Sequence, residues 1–203
     1  PQTLWDTALP PFEMGVKAGA ATVMSAFNDI SGVPASANRY TMTDILRGMW
    51  GFDGLVVSDW DAVKQLVAQG VAADRAEAAA KAITAGLDMD MVDDVYRENL
   101  EALVESGRVP EKVLDEAVRR ILRVKFRLGL FEKPYIEELP DEQRYLSIEA
   151  RAAARELAAE SMVLLKNSGA TLPVAGDVRR IALMGPMADN RADLMGSWWG
   201  QGE

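Results

Sequence analysis

The 203-residue chain contains no cysteine and no histidine. Without cysteine there is neither a disulfide framework nor thiol catalysis, and the compartment stays open. Without histidine, Ser-His-Asp and Cys-His catalysis, His-ligated zinc and imidazole acid–base work are excluded. Any chemistry falls to carboxylates, lysine, tyrosine or arginine. Cationic charge is scarce too: 22 Lys and Arg stand against 31 Asp and Glu, a formal net charge of -9. Nucleic acid is therefore not an expected partner, because neutralising phosphates needs clustered cations. The nearest such cluster, Arg119, Arg120, Arg123, Lys125 and Arg127, falls on a helical stretch beside Asp115 and Glu116 and reads as a solvated face. No apolar run approaches the ~18 residues of a membrane span, so no membrane partner is expected. The N-terminal Pro1-Gln2-Thr3-Leu4-Trp5 has neither the basic start nor the apolar core of a signal peptide, and no initiator Met. It is expected to begin mid-protein.

What is present is an ordinary globular composition, 49% hydrophobic and 26% charged, long enough for one large or two small domains. The most telling stretch runs from Gly51 to Trp60. A glycine-bounded turn feeds the short aliphatic run Leu55–Val57, which reads as a buried strand, and Ser58-Asp59-Trp60 ends it. In parallel α/β architectures the chemistry gathers where strands end. An acid beside an indole at such a point suits a cationic sugar carbon and a flat ring, although a strand-end Asp often only caps the next helix.

Around this stretch, short apolar runs alternate with helical ones. Residues 21–27 read as a strand and 28–38 as turn-rich. Thr43 is placed to cap a helix with Ile45, Leu46 and Met49 on one face. After Leu55–Val57 come a loop, a helix over 73–85 ended by Gly86, and a third strand end at Leu87-Asp88-Met89-Asp90-Met91. Helices over 93–106 and 110–128 follow, the second opening with Pro110. Such spacing implies parallel βαβ units. A closed eight-stranded barrel needs about 250 residues, so residues 1–128 are expected to be the C-terminal part of a (β/α)8 TIM-like barrel. Residues 129–147 form a Pro-containing linker. Residues 148–203, with a helix over 148–161 and apolar runs at 162–167 and 181–186, are expected to open an α/β sandwich domain. The fold class is α/β.

Several separated motifs occur in one order: Pro10-Pro11-Phe12 with Gly19, Val23-Met24-Ser25-Ala26-Phe27-Asn28, Gly32-Val33-Pro34-Ala35, Leu46-Arg47 through Trp50-Gly51-Phe52, Ser58-Asp59-Trp60, Gly86-Leu87-Asp88-Met89-Asp90-Met91, Lys125 through Gly129-Leu130-Phe131, Val163-Leu164-Leu165-Lys166-Asn167 and Leu183-Met184-Gly185-Pro186. Together they resemble glycoside hydrolase family 3 over nearly the whole chain, in the manner of the periplasmic bacterial β-glucosidases. Asp193-Leu194-Met195-Gly196-Ser197-Trp198 agrees with that subtype.

The resemblance implies a fragment of a retaining exo-β-glycosidase, a β-glucosidase first of all. Its substrates would be β-glucosides or short β-linked oligosaccharides, with no cofactor and a periplasmic or secreted location. It makes Asp59 the nucleophile of a covalent glycosyl-enzyme, which needs a second carboxyl group about 5–5.5 Å away. That acid/base is expected beyond Glu203, and the family's Lys-His pair upstream of Pro1, so the chain alone is expected to be inactive. A homodimer is an open arrangement for the full-length protein. The substrate-binding candidates are Trp60, Met24 and Phe27. The resemblance puts Met24 beside the sugar. Phe27 departs from the Tyr that many members carry, and so cannot donate a hydroxyl to Asp59.

Other readings stand beside these. Asp61 is expected to be a helix cap or a solvated acid. Asp88 and Asp90 could hold a divalent metal with Asp59, as in a metal-dependent barrel lyase, but read first as hydrogen-bonded structural acids at a barrel rim. A non-catalytic sugar-binding protein is a further alternative, motivated by Phe27. Arg47 and Arg75 read as surface or ion-pair residues. Trp198 and Trp199 could line an aglycone site or pack in a core.

Overall fold

The computed structural model describes residues 2–136 and 146–197. The chain divides into two compact units, residues 1–137 and 138–203. The linker stretch 137–145 and the Trp198-Trp199 pair lie outside the described residues.

In the first unit a wide helical turn, Leu4–Ala8, runs into helix α1, Leu9–Lys17. Strand β1, Thr22–Met24, follows, then a small hairpin of β2, Asp29–Ile30, and β3, Val33–Pro34. Helix α2 spans Tyr40–Met49 with π-type spacing, the Trp50 amide reaching the Ile45 carbonyl. Thr43 does not cap it. The helix starts earlier, where Asn38 Oδ1 accepts the Thr41 amide, and the Thr43 hydroxyl instead donates to the Ala85 carbonyl at 2.8 Å. Strand β4, Leu55–Val57, lies parallel to β1 with Met24 opposite Val57. Four helices follow: α3, Ala62–Ala68; α4, Arg75–Ala85; α5, Val95–Glu105; and α6, Glu111–Arg127. Among the described residues no helix is long and apolar enough to cross a membrane.

The strand β4 sorts its side chains by alternation. Val56 and Ser58 are fully buried, whereas Val57 and Asp59 are half-buried. Val56 shares one buried cluster with Leu66 of α3, the alanine face Ala78, Ala79 and Ala82 of α4, and Leu87. Small side chains there let the helix approach closely. Helix α4 owes its start to a reciprocal cap: Asp74 Oδ1 accepts the Glu77 amide and Glu77 Oε2 accepts the Ala73 amide, both at 2.7 Å. Gly86 ends it in the left-handed region, φ 108°. Gly54 is required by contact rather than by conformation, because a Cβ there would sit 2.1 Å from the Ala21 carbonyl oxygen.

Two strand expectations need correction. Leu87–Met91 forms no strand beyond a single parallel bridge from Met89 to Val57. The Val56 amide, which would extend a ladder, is taken by the Asp88 carboxylate at 2.8 Å. In the second unit, helix α7, Ile148–Glu160, forms as expected with Ser147 accepting the Ala150 amide. The apolar runs 162–167 and 181–186, however, take no strand structure. A strand is stabilised by its ladder, and these runs have no ladder partner among the described residues.

Candidate active site

Ser58, Asp59 and Trp60 follow directly on the C-terminal end of β4. The Asp59 carboxylate is half-buried, and its Oδ1 accepts the Trp60 amide at 2.7 Å. Its carbonyl accepts the Ala62 amide and the Ser58 hydroxyl, at 3.2 and 2.9 Å. Asp59 thus caps nothing with its side chain beyond its own neighbour, which leaves the carboxylate available for chemistry. Asp61, at the start of α3, has φ 56° and caps nothing with its side chain; its carboxylate lies 3.7 Å from Lys64. It is the solvated acid, not the cap.

Met24, Val57 and Met89 fall in one row across adjacent chain segments, because β1 pairs Met24 with Val57 and Val57 bridges Met89. Paired residues of parallel strands share a face, so two thioethers and a valine line the same side of the sheet, two residues before Asp59. Met24 also lines an apolar cavity with Phe12, Leu46 and Trp50; Asp59 is not among its walls. Phe27 and Trp60 lie on the loops that leave β1 and β4, both about half-exposed. The Phe27 carbonyl accepts Gln69 Nε2 at 3.2 Å, which braces that loop against the end of α3. The structure thus brings Met24 and Asp59 to the same end of two paired strands.

Asp88 has a different task. Its side chain is 1% exposed; Oδ2 accepts Arg47 Nη2 at 2.5 Å and the Val56 amide, while Oδ1 accepts Arg120 Nη1 at 2.8 Å. Arg47 adds a bond to the Gly54 carbonyl, and burial lowers it below the ordinary guanidinium value. Two guanidinium groups and a backbone amide hold the two oxygens of Asp88, the arrangement of a hydrogen-bonded structural acid. Among the described residues no group of three or more acids is arranged to hold a metal ion. The same contacts correct the basic cluster of α6. Arg120 reaches inward to Asp88, and Arg123 and Arg127 both bind Asp53, so this is only in part a solvated face.

Asp90, read as a rim acid, and Asp93 have different surroundings. Asp93 is buried, its two oxygens accepting the Lys64 and Val95 amides. Asp90 Oδ2 accepts the Tyr96 amide, while its buried Oδ1 has no hydrogen-bond partner among the described residues. Burial first, and then the adjacent Asp93 carboxyl, push Asp90 up to about 7. A carboxyl raised in the folded state adds stability that is full below about pH 4 and is lost as pH rises through about 7. Asp90→Asn is therefore expected to match the parent's denaturant midpoint at pH 4 and to exceed it at pH 8. An advantage that is constant across that range would refute the assignment.

The sequence does not reveal two contacts beside Asp59: the Ser58 hydroxyl accepts an amide 33 residues away, and Asp93 accepts one 29 residues away.

Three kinds of likeness agree with this geometry. Residues 1–124 match the model of the glycosyl hydrolase family 3 N terminal domain. The chain is 43% identical over 202 residues to the periplasmic beta-glucosidase of Salmonella typhimurium, covering 97% of this chain and 26% of that protein. It is 38% identical over 198 residues to a putative beta-xylosidase of Formosa agariphila, with 96% and 26% covered. The structure of a beta-glucosidase from Listeria innocua in complex with glucose superposes with a TM-score of 0.77 at 42% identity, over 85% of this chain and 24% of that one. The chain thus spans about a quarter of the length of the curated relatives it matches. Its first unit, with parallel strands and outer helices, is a piece of a TIM-type barrel. The chain belongs to glycoside hydrolase family 3.

Proposed function

We propose that this chain carries the nucleophile-bearing part of a retaining exo-β-glycosidase that releases terminal glucosyl residues from β-glucosides or short β-linked oligosaccharides. The observation that carries the proposal is the Ser58-Asp59-Trp60 step: an accessible carboxylate beside an indole at the C-terminal end of a buried parallel strand, inside the family-matched region. Asp59 attacks the anomeric carbon, the glycosidic C–O bond breaks, and a glycosyl ester forms. Water then attacks the same carbon and frees the carboxylate. Trp60 offers a flat face to the sugar, with Met24 and Phe27 at the neighbouring strand end. A second carboxyl group about 5–5.5 Å away protonates the leaving oxygen. Residues 1–128 are the C-terminal part of the barrel, 129–147 a linker and 148–203 the opening of an α/β sandwich. A periplasmic or secreted location is supported by the Salmonella relative's name.

A 2-deoxy-2-fluoro-β-glucoside with a good leaving group tests the role of Asp59 in the full-length protein. The glycosyl-enzyme should accumulate, and peptide mapping should place the label on Asp59. Label on another carboxylate, or none on an enzyme that turns over, would overturn the proposal. Comparison of kcat/KM on aryl β-glucoside and aryl β-xyloside decides between the two substrate classes named among the relatives.

A further inference from the structure

Helix α3 begins immediately after the Asp59–Asp61 turn, so whatever holds its first turn also holds the carboxylate's backbone. The first amides of a helix have no partner within it. Asp61, in the left-handed region, gives them none from its side chain. The acceptor comes from elsewhere: Asp93 Oδ2 accepts the Lys64 amide at 2.7 Å, while Asp93 Oδ1 accepts the Val95 amide of α5 at 3.2 Å. One buried carboxylate thereby ties the starts of two helices. Its own backbone is held as well, since Arg75 Nη2 donates to the Asp93 carbonyl at 2.6 Å. Nearer the site the same loop is joined to the same turn. The Ser58 amide donates to the Met89 carbonyl, the Met91 amide to the Ser58 hydroxyl, and the Asp61 amide to the Met91 carbonyl.

We infer that Asp93 is a positioning residue for Asp59: by bonding α3 and α5 together it sets the height and direction of the turn from which the Asp59 carboxylate attacks. The inference rests on the role proposed above for Asp59. Asp93 does not touch the sugar; it acts through the Lys64 amide, the first turn of α3 and the Ala62–Asp59 hydrogen bond. Loss of the tie leaves α3 free to pivot, and a displacement of ~1 Å at a reacting atom costs about 100-fold in rate.

The test compares Asp93→Ala, Asp93→Asn and Asp94→Ala in the full-length protein. Burst titration with the fluoro-glucoside counts the folded active sites, so rates are expressed per site. Asp93→Ala should lower kcat and the labelling rate together by about 10- to 100-fold with KM little changed. Asp93→Asn, which keeps one acceptor oxygen, should recover part of the loss. Asp94→Ala, which removes an exposed acid paired with the neighbouring Arg97, should behave as the parent. Unchanged per-site rates in both Asp93 variants would overturn the inference alone. Label on a residue other than Asp59 in the unsubstituted protein would overturn the Asp59 assignment, and this inference with it.

Discussion

Asp59→Ala in the full-length protein is expected to lower kcat on an aryl β-glucoside by more than about 1,000-fold and to leave the unfolding transition where it was. Loss of a nucleophile removes the covalent route altogether, and what remains is binding and whatever electrostatic stabilisation the pocket supplies. Little stability should go with it, because the Asp59 side chain is half-buried and, among the described residues, is bonded only to the adjacent Trp60 amide. Azide supplies the discriminating measurement. A small anion can enter the space of the missing carboxylate and attack the anomeric carbon directly, giving the α-glucosyl azide by a single inversion. Recovery of turnover with that product identifies the lost group as the nucleophile. An Asp59→Ala enzyme within tenfold of the parent would refute the assignment. Asp61→Ala, two residues away and with a side chain that caps no helix amide, is the matched control and should retain the parent's rate.

The second large effect is on stability. Asp88→Ala is expected to destabilise the barrel unit by about 3–5 kcal/mol, the usual result of removing one member of a buried ion pair. The side chains of Arg47 and Arg120 are 11% and 22% exposed beside an acid that is 1% exposed. Deleting the acid leaves two guanidinium groups facing each other without a counter-charge. It also strips the Val56 amide, inside the core, of its acceptor. Asp88→Asn keeps that acceptor and should lose less. Replacing Asp88, Arg47 and Arg120 together by Leu, Met and Met should cost less than Asp88→Ala, because no uncompensated charge remains. Denaturant midpoints of the full-length variants check the order. A metal-binding acid predicts the opposite pattern, with the fold kept and a divalent-ion dependence lost.

How much of this could be seen in the residues alone depended on where each partner lies. Strand β4 and helix α4 were legible because their causes are local: an aliphatic run between turns, and an Asp74–Glu77 pair three residues apart. Helix α3 falls in a stretch that the sequence presents as loop. It has seven residues and no side-chain cap of its own, and its acceptor sits on Asp93. The alternation of acid and apolar residues at Leu87–Met91 suggested a strand, but alternation does not reveal that a side chain has taken the ladder's amide. Arg120 looked solvated for the same kind of reason, its partner being 32 residues back. For the candidate site, Asp59 and Trp60 stood out by motif. The row Met24–Val57–Met89 and the bonds from the 89–94 loop could not, because they exist only once β1 and β4 are paired.

Gly54 bears on that pairing in a way that reaches Asp59. The Ala21 carbonyl oxygen lies where a Cβ at position 54 would be, and it accepts the Leu55 amide at 3.2 Å. A slip of β4 by one residue would bring Asp53 or Leu55 to that oxygen, and neither side chain fits. The missing methyl group is thus a register pin. Because side chains alternate, the same slip would turn Asp59 onto the helix-packed side and present Ser58 in its place. The absence of one carbon atom, five residues upstream, keeps the carboxylate on the face it shares with Met24 and Met89.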